Sequence, residues 1–334
     1  MVARFRIMQA IVHHGAGGPE VLSLDEVPTP TPGPGQVLVR VRAAGLNRAD
    51  IIQRKGNYPA PPGWPADIPG LEYAGEIVAL GPEAGRWRAD DRVMGLVGGG
   101  AQAEFVAVHE DEVLPMPAGL SFEEAAGIPE AFLTAYDALV TRARVAPRER
   151  VLVHAVGSGV GTAAVQLIRW LGAVSTGTSR TAAKLEHAVR LGLDRGIDTS
   201  TIGFRSTLDA PADVILDFFG GGALTDNLAS LAPRGRLVLL GTLQGPHAAD
   251  VNLGQVLRNR LEIIGTVMRA RGRAERVPLV REFEERVIGL FEAGARPVRL
   301  EPVVGAVFPL VEVAQAHAAM EANEVFGKIV LTVD

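Results

Sequence analysis

No cysteine occurs anywhere in the 334 residues. That absence excludes disulfides, thiolate nucleophiles and every zinc site that needs sulfur ligands. A surplus of positive charge is missing as well: 33 Lys and Arg stand against 38 Asp and Glu, a formal net charge of -5. Phosphate backbones are held by clustered Lys and Arg, so this balance speaks against a nucleic-acid partner. The third absence is a long hydrophobic run. The N-terminal stretch "MVARFRIMQAIVHHG" is broken by Arg4, Arg6 and Gln9, and no long apolar segment follows it. The expectation is a cytoplasmic protein with no membrane partner. What is present is ample apolar material, 47% hydrophobic against 21% charged residues, in a chain long enough for two packed domains.

Residues 8 to 108 read as β-structure. "QAIVHH", "GQVLVRVRAAG", "EYAGEIVALG" and "AEFVAVH" are apolar or alternating runs separated by Gly and Pro clusters. "PTPTPGPG" at 28–35 is a stiff surface connection, because proline cannot serve a central strand. One helix, "NRADIIQRKG", interrupts the region and stops at Gly56. From about residue 130 the period changes. Short apolar runs ("RVLVHAV", "AVSTGT", "ADVILDF", "GRLVLLGT", "LEIIGTV") alternate with amphipathic helices at 159–171, 181–191 and 222–231. This is the signature of a parallel sheet with crossover helices. A charged helix follows residue 272, and the final strand "GKIVLTV" needs a partner, so the β-rich fold is expected to reclaim the C-terminal piece.

"HAVGSGVGTAAVQLIRWLG" (154–172) joins a strand to a helix through a glycine turn. Against G-x-G-x-x-G ending at Gly161, the first two required positions hold Val156 and Ser158, so the spelling fails. The context still suits a dinucleotide, because N–H groups at the start of a helix, with the positive end of its dipole, suit a pyrophosphate. A plain turn without ligand is the alternative. An NAD site places Asp or Glu at the end of the second strand, on the ribose 2′-hydroxyl. Here no acid occurs between Gly161 and Glu186, and Ser179, Arg180 and Lys184 stand there instead. They favour the 2′-phosphate of NADPH, unless Arg180 and Lys184 are simply solvated residues opening a surface helix. The seven histidines form no metal-like spacing, and Asp217 reads as a residue that orders a loop.

Several blocks resemble the zeta-crystallin-like quinone oxidoreductases of the medium-chain dehydrogenase/reductase superfamily: "GLNRADIIQRKGNYP" (45–59), "PGLEYAGEIVALGP" (69–82), "AAGIPEAFLTAYDAL" (125–139), "VLVHAVGSGVGTAAVQL" (151–167), "GRLVLLGT" (235–242) and "EANEVFGKIVL" (321–331). Ser158, "GNYP" and the C-terminal "MEAN" are most similar to the tumour-suppressor-inducible NADPH:quinone reductase subgroup. The resemblance implies an α/β protein with two domains. A GroES-like β-rich catalytic domain spans 1–130 and 268–334, and a Rossmann doubly wound parallel-sheet NADPH-binding domain spans 131–267. It also implies a homodimer. Zinc alcohol dehydrogenases of the same superfamily carry a metal-binding cysteine where this chain has Asn47, and Gly-His-Glu where it has Gly70-Leu71-Glu72. With two ligands replaced, the implied chemistry is zinc-free: hydride transfer from NADPH to a small quinone or other α,β-unsaturated carbonyl. Enoyl-thioester reduction and a non-enzymatic crystallin-like or RNA-binding role are the alternatives.

By family position, Tyr58 and Asn47 face the oxygen that gains charge, with Asp50 supporting them and Thr134 at the nicotinamide end. Asn47 is also in place to cap its helix, and Tyr58 could be a loop aromatic packed beside Pro59 and Pro62. Gly157, Ser158, Gly159 and Val160 fall under the pyrophosphate, and Gly161 permits close helix–strand packing. Ser179, Arg180 and Lys184 take the 2′-phosphate. Gly241, Thr242, Leu243, Met268, Arg269 and Lys328 lie beside the cofactor. Thr199 stands where some relatives place a tyrosine against the adenosine, which removes the aromatic face there. No metal is implied.

Overall fold

The computed structural model describes residues 6–296 and 298–334; Arg4 of the N-terminal run lies outside them. The chain divides into two compact units, residues 1–133 with 268–334, and residues 134–267.

The first unit is β-rich. Strands β1 (Ile7–His13) and β2 (Leu22–Pro28) form an antiparallel hairpin. Strands β3 (Gln36–Leu46), β4 (Glu72–Leu80), β5 (Arg92–Leu96), β6 (Phe105–His109) and β7 (Val113–Pro115) build most of a sheet. In the second, β8 (Arg150–Val153), β9 (Val174–Ser179), β10 (Arg195–Asp198), β11 (Ala212–Asp217), β12 (Leu231–Leu239) and β13 (Glu262–Gly265) form another. The chain then returns to the first unit with β14 (Val304–Pro309) and β15 (Lys328–Thr332). The first sheet runs β14-β15-β3-β4-β5-β7, with β6 also on β3. The terminal strand is reclaimed as expected: Ile329 pairs with Leu46 and Val330 with Gly45, antiparallel. Alternating valines of β3 (Val37, Val39, Val41) enter one core with Tyr73, Ile77, Val93, Val106, Ile329 and Leu331.

Helices α1 (Arg48–Arg54), α2 (Phe122–Ala126) and α3 (Pro129–Tyr136) precede the second sheet, and α3 runs on into a π-helical turn, Asp137–Arg142. All pairs of the second sheet are parallel, in the order β10-β9-β8-β11-β12-β13. Its crossovers carry α4 (Gly159–Trp170), α5 (Ala182–Arg190), α6 (Leu224–Ser230) and α7 (Leu253–Asn259). Numbered from β8, the order is 3-2-1-4-5-6, the doubly wound arrangement whose direction reverses between β8 and β11, where ligand crevices form. Helices α8 (Arg273–Val287) and α9 (Val313–Ala322) complete the first unit. Among the described residues, no helix is long and apolar enough to cross a membrane.

Candidate active site

In the first unit, Asn47 ends β3's excursion and sits at the N-cap of α1 in extended conformation. Its backbone N–H donates to Asp50 Oδ2 at 2.8 Å, within a capping box in which the Asn47 side chain faces the Asp50 backbone in turn. Its side chain does other work: Nδ2 donates to Glu72 Oε1 at 2.9 Å and to Gly45 O at 3.2 Å. The Lys328 ammonium donates to Asn47 Oδ1 (2.6 Å), Leu46 O (2.8 Å) and Glu72 Oε1 (2.5 Å). Glu72 is fully buried, Lys328 is 5% exposed, and Glu72 Oε2 accepts the backbone N–H of Glu130 at 2.7 Å. Register explains the meeting. β15 and β4 flank β3, and a Cβ at Gly45 would collide with Glu72 Oε1, so only glycine leaves room for the carboxylate.

Asp50 is fully buried and also accepts from Gly70 N at 3.1 Å. Burial pushes its carboxyl up to about 6, against the pull of those two N–H groups and of Lys328 and Arg269. Arg269 is 3% exposed and ties four segments together: Nε to Gly98 O (2.8 Å), Nη1 to Tyr58 O (3.0 Å), Nη2 to Gln53 Oε1 (2.6 Å), and its guanidinium carbon 5.0 Å from the Tyr58 ring centroid. Tyr58 is half-buried, and its contacts with Arg269 engage its carbonyl and ring, leaving the hydroxyl without a hydrogen bond among the described residues. Burial first, then the Glu130 carboxylate, raises its pKa, with Arg269 opposing, so the phenol stays protonated at neutral pH. Met268 beside it is buried.

In the second unit, the glycine turn follows β8. Ala155 takes a left-handed φ of 47°, and Ser158 caps α4 by accepting from Gly161 N at 3.1 Å. A Cβ at Gly161 would lie 2.6 Å from Ala155 O, so helix and turn approach closely there. The N–H groups of Gly159 and Val160 have no acceptor among the described residues, which fits an anionic group such as a pyrophosphate. His154 beneath the turn is buried between Thr178 Oγ1 (3.0 Å) and Asn227 Oδ1 (2.7 Å), and burial lowers its pKa to about 4. Asp217 accepts from Phe219 N at 2.7 Å and from Gly220 N, so it orders its loop.

Gly157–Gly161, Ser179, Thr199 and Gly241–Leu243 follow β8, β9, β10 and β12, so all line the carboxyl edge of the parallel sheet. Ser179 Oγ accepts from Thr181 N, and Ser179 O from Thr199 N. Arg180 is exposed and Lys184 half-buried in the first turn of α5; Thr242 and Leu243 are exposed, and Thr134 is half-buried in α3. One neighbour escaped the sequence reading: parallel register sets Asp198 level with Ser179 on the adjacent strand. Its exposed carboxylate accepts from Ser200 N at 2.8 Å, which lowers its pKa. Glu72, Gln53 and Glu130 were likewise not singled out as site residues. A carboxylate at the head of the apolar strand "EYAGEIVAL" was the signal for Glu72.

Residues 33–118 match the family described as Alcohol dehydrogenase GroES-like domain, and residues 159–285 that described as Zinc-binding dehydrogenase. The chain is 34% identical over 321 residues to a quinone oxidoreductase of Pseudomonas aeruginosa, covering 94% of this chain and 96% of that protein. It is 32% identical to the mouse synaptic vesicle membrane protein VAT-1 homolog, over 97% of this chain and 83% of that one. The crystal structure of an NAD-dependent alcohol dehydrogenase superposes with a TM-score of 0.84 at 31% identity, over 98% and 100% of the two chains. The second family's name implies zinc, and the residues here do not fit it. An ammonium with three oxygen partners lies between Asn47 and Glu72, the chain has no cysteine, and no metal-like group of His, Asp or Glu occurs among the described residues. A β-rich GroES-like unit carrying a buried polar cluster, joined to a doubly wound unit with an open glycine turn, is the plan of nicotinamide-dependent oxidoreductases, and this chain belongs to the medium-chain dehydrogenase/reductase superfamily, in its quinone oxidoreductase-like group.

Proposed function

We propose that the protein is a zinc-free NADPH:quinone oxidoreductase, reducing a quinone or another small α,β-unsaturated carbonyl. The observation that carries this reading is the end of β9: Ser179 and exposed Arg180, with Lys184 one turn into α5, where an NAD site needs a carboxylate. Bound NADPH supplies the hydride. Arg180 and Lys184 hold the 2′-phosphate. The turn Gly157–Gly161 seats the pyrophosphate at the N-terminus of α4. Thr134, Thr199, Gly241, Thr242, Leu243 and Met268 are the remaining contacts proposed for the cofactor.

At the acceptor, one oxygen gains charge as hydride arrives, and a proton must reach it. Tyr58 is the donor of choice, because its hydroxyl is uncommitted and its raised pKa keeps the proton on it. Arg269 holds that tyrosine by backbone and ring. Asp50 holds the start of α1 through Asn47 N. A Lewis acid has no seat beside Asn47, so an acceptor activated by its own conjugation is the substrate class that fits.

We also propose a cytoplasmic homodimer with no nucleic-acid partner. The open edge strand β13, with Ile263 43% exposed, and Leu253 (71%) and Leu257 (79%) of α7 support self-association. Sedimentation equilibrium giving a dimer agrees; a monomer at micromolar concentration does not. The functional test is NADPH oxidation with a small quinone against a crotonyl-type thioester. Faster quinone turnover is expected. Preference for the thioester turns the assignment to an enoyl reductase, and salt-dependent RNA retention without any NADPH oxidation turns it to a non-enzymatic role.

A further inference from the structure

The contacts proposed for the cofactor in the second unit gather at the carboxyl edge of its parallel sheet; the amino edge of the same sheet is rich in arginine. Parallel register sets Val151 of β8, Val214 of β11, Arg236 of β12 and Glu262 of β13 at one level. Arg148, Arg234 and Arg260 stand two or three residues before that level, and all three are exposed. The carboxylates around these strand starts already have cations: Glu149 pairs with Arg236 (2.6 Å), Glu262 with Arg144 (3.3 Å), Asp213 with Arg150 (3.6 Å) and Asp209 with Arg195 (2.7 Å). The guanidinium groups of Arg148, Arg234 and Arg260 have no hydrogen-bond or ion-pair partner among the described residues.

Their backbone points the same way. Arg148, Arg234 and Arg260 hold left-handed φ of 70°, 65° and 54°. Arg260 is the C-cap of α7, a position that glycine or asparagine fills at less steric cost. An arginine in such a turn, without a partner inside the protein, gives the fold nothing that glycine would not. Neighbouring strands lie about 5 Å apart, so the three residues form a front of about 15 Å from β8 to β13. An extended segment of about five residues has that length.

We infer that the amino edge of this sheet docks an acidic, extended segment of a partner protein, whose carboxylates accept forked hydrogen bonds from Arg148, Arg234 and Arg260. The chain as a whole carries a net charge of -5, so a long polyanion or an anionic membrane meets repulsion beyond the arginine front, whereas a short segment does not. Arg260 precedes the first paired residue of β13, Glu262, which separates this surface from the lateral strand edge proposed for self-association.

The test is fluorescence anisotropy of a fluorescein-labelled octaglutamate peptide, titrated with the whole protein at low ionic strength, where such pairs are least screened. Wild type is expected to bind saturably, and Arg148→Asn/Arg234→Asn/Arg260→Asn to bind about tenfold more weakly. Its melting temperature should stay near that of wild type, because asparagine tolerates left-handed φ. Arg88→Gln/Arg273→Gln/Arg299→Gln removes the same charge from exposed positions elsewhere and should bind within about twofold of wild type. Equal weakening in the two triple variants would reduce the effect to net charge and overturn the inference, as would the absence of saturable binding by wild type. Tighter binding of a labelled oligothymidylate or of phosphatidylserine vesicles than of the peptide would overturn the partner class, in favour of nucleic acid or a membrane. Should the asparagine set fail to fold, Arg148→Gly/Arg234→Gly/Arg260→Gly decides by the same titration. A melting temperature lowered by more than about 5 °C in both sets would assign the arginines to the fold and likewise overturn the inference.

Discussion

Lys328→Met removes the ammonium and leaves Glu72 fully buried with only two neutral donors, Asn47 Nδ2 and Glu130 N. The wild-type contact is 2.5 Å with 6% and 0% side-chain exposure, so neither solvent nor salt can take over its role. Stranding one partner of such a pair costs about 3–5 kcal/mol, a large share of the ~5–15 kcal/mol that holds a typical protein folded. Desolvation works the other way for removal of both charges. Lys328→Met/Glu72→Gln should therefore regain most of the loss, because the cost of Lys328→Met lies in the orphaned carboxylate and not in the pair's own strength. Urea titrations of the wild type, both single variants and the double variant, at one pH and low salt, give the four corners of the cycle. A Lys328→Met defect under about 1 kcal/mol is the behaviour of a solvated surface pair and would refute the claim that this ammonium fills a closed site.

Arg180→Ala/Lys184→Ala should weaken NADPH binding about hundredfold or more and NADH binding hardly at all, since two charge-assisted phosphate contacts of about 1.5–3 kcal/mol each are lost; equal losses for both nucleotides would remove the assignment. Tyr58→Phe should lower turnover about hundredfold or more while NADPH affinity stays within about twofold, and unchanged turnover rules the phenol out as donor. His154 supplies a pH prediction. Its folded pKa of about 4 lies below the ordinary value of 6.5, so the unfolded chain takes the proton first; stability is full above pH 6.5 and declines by ~3 kcal/mol as pH falls toward 4. In His154→Gln that component of the acid dependence should disappear, and an unaltered slope between pH 6.5 and 4 would show that the imidazole is not held neutral by burial.

Much of the fold was legible because periodicity changes where the architecture changes. Period-two runs before residue 110 became β1, β3, β4 and β6, and the strand–helix alternation after 150 became the parallel sheet. The short strands β5, β7 and β10 escaped because neighbours, not their own sequence, hold them. The glycine turn was readable from local context despite its failed spelling. The polar cluster was not, because its bonds span the chain: Lys328 and Asn47 are 281 residues apart, and Arg269 and Gln53 are 216. Lys328 and Arg269, which family position sets beside the cofactor, have intramolecular partners that no local pattern announces: Asn47 and Glu72 for the first, and Gln53, Tyr58 and Gly98 for the second. Asp198 was invisible for the same reason, since only strand register sets it beside Ser179.

The most direct test of the central claim is kcat/KM for NADPH and for NADH with one quinone acceptor, after exhaustive dialysis against a chelator. Full activity with NADPH favoured by about tenfold or more is the predicted result. Activity that is lost on chelation and restored by Zn²⁺, or equal use of the two nucleotides, would contradict it.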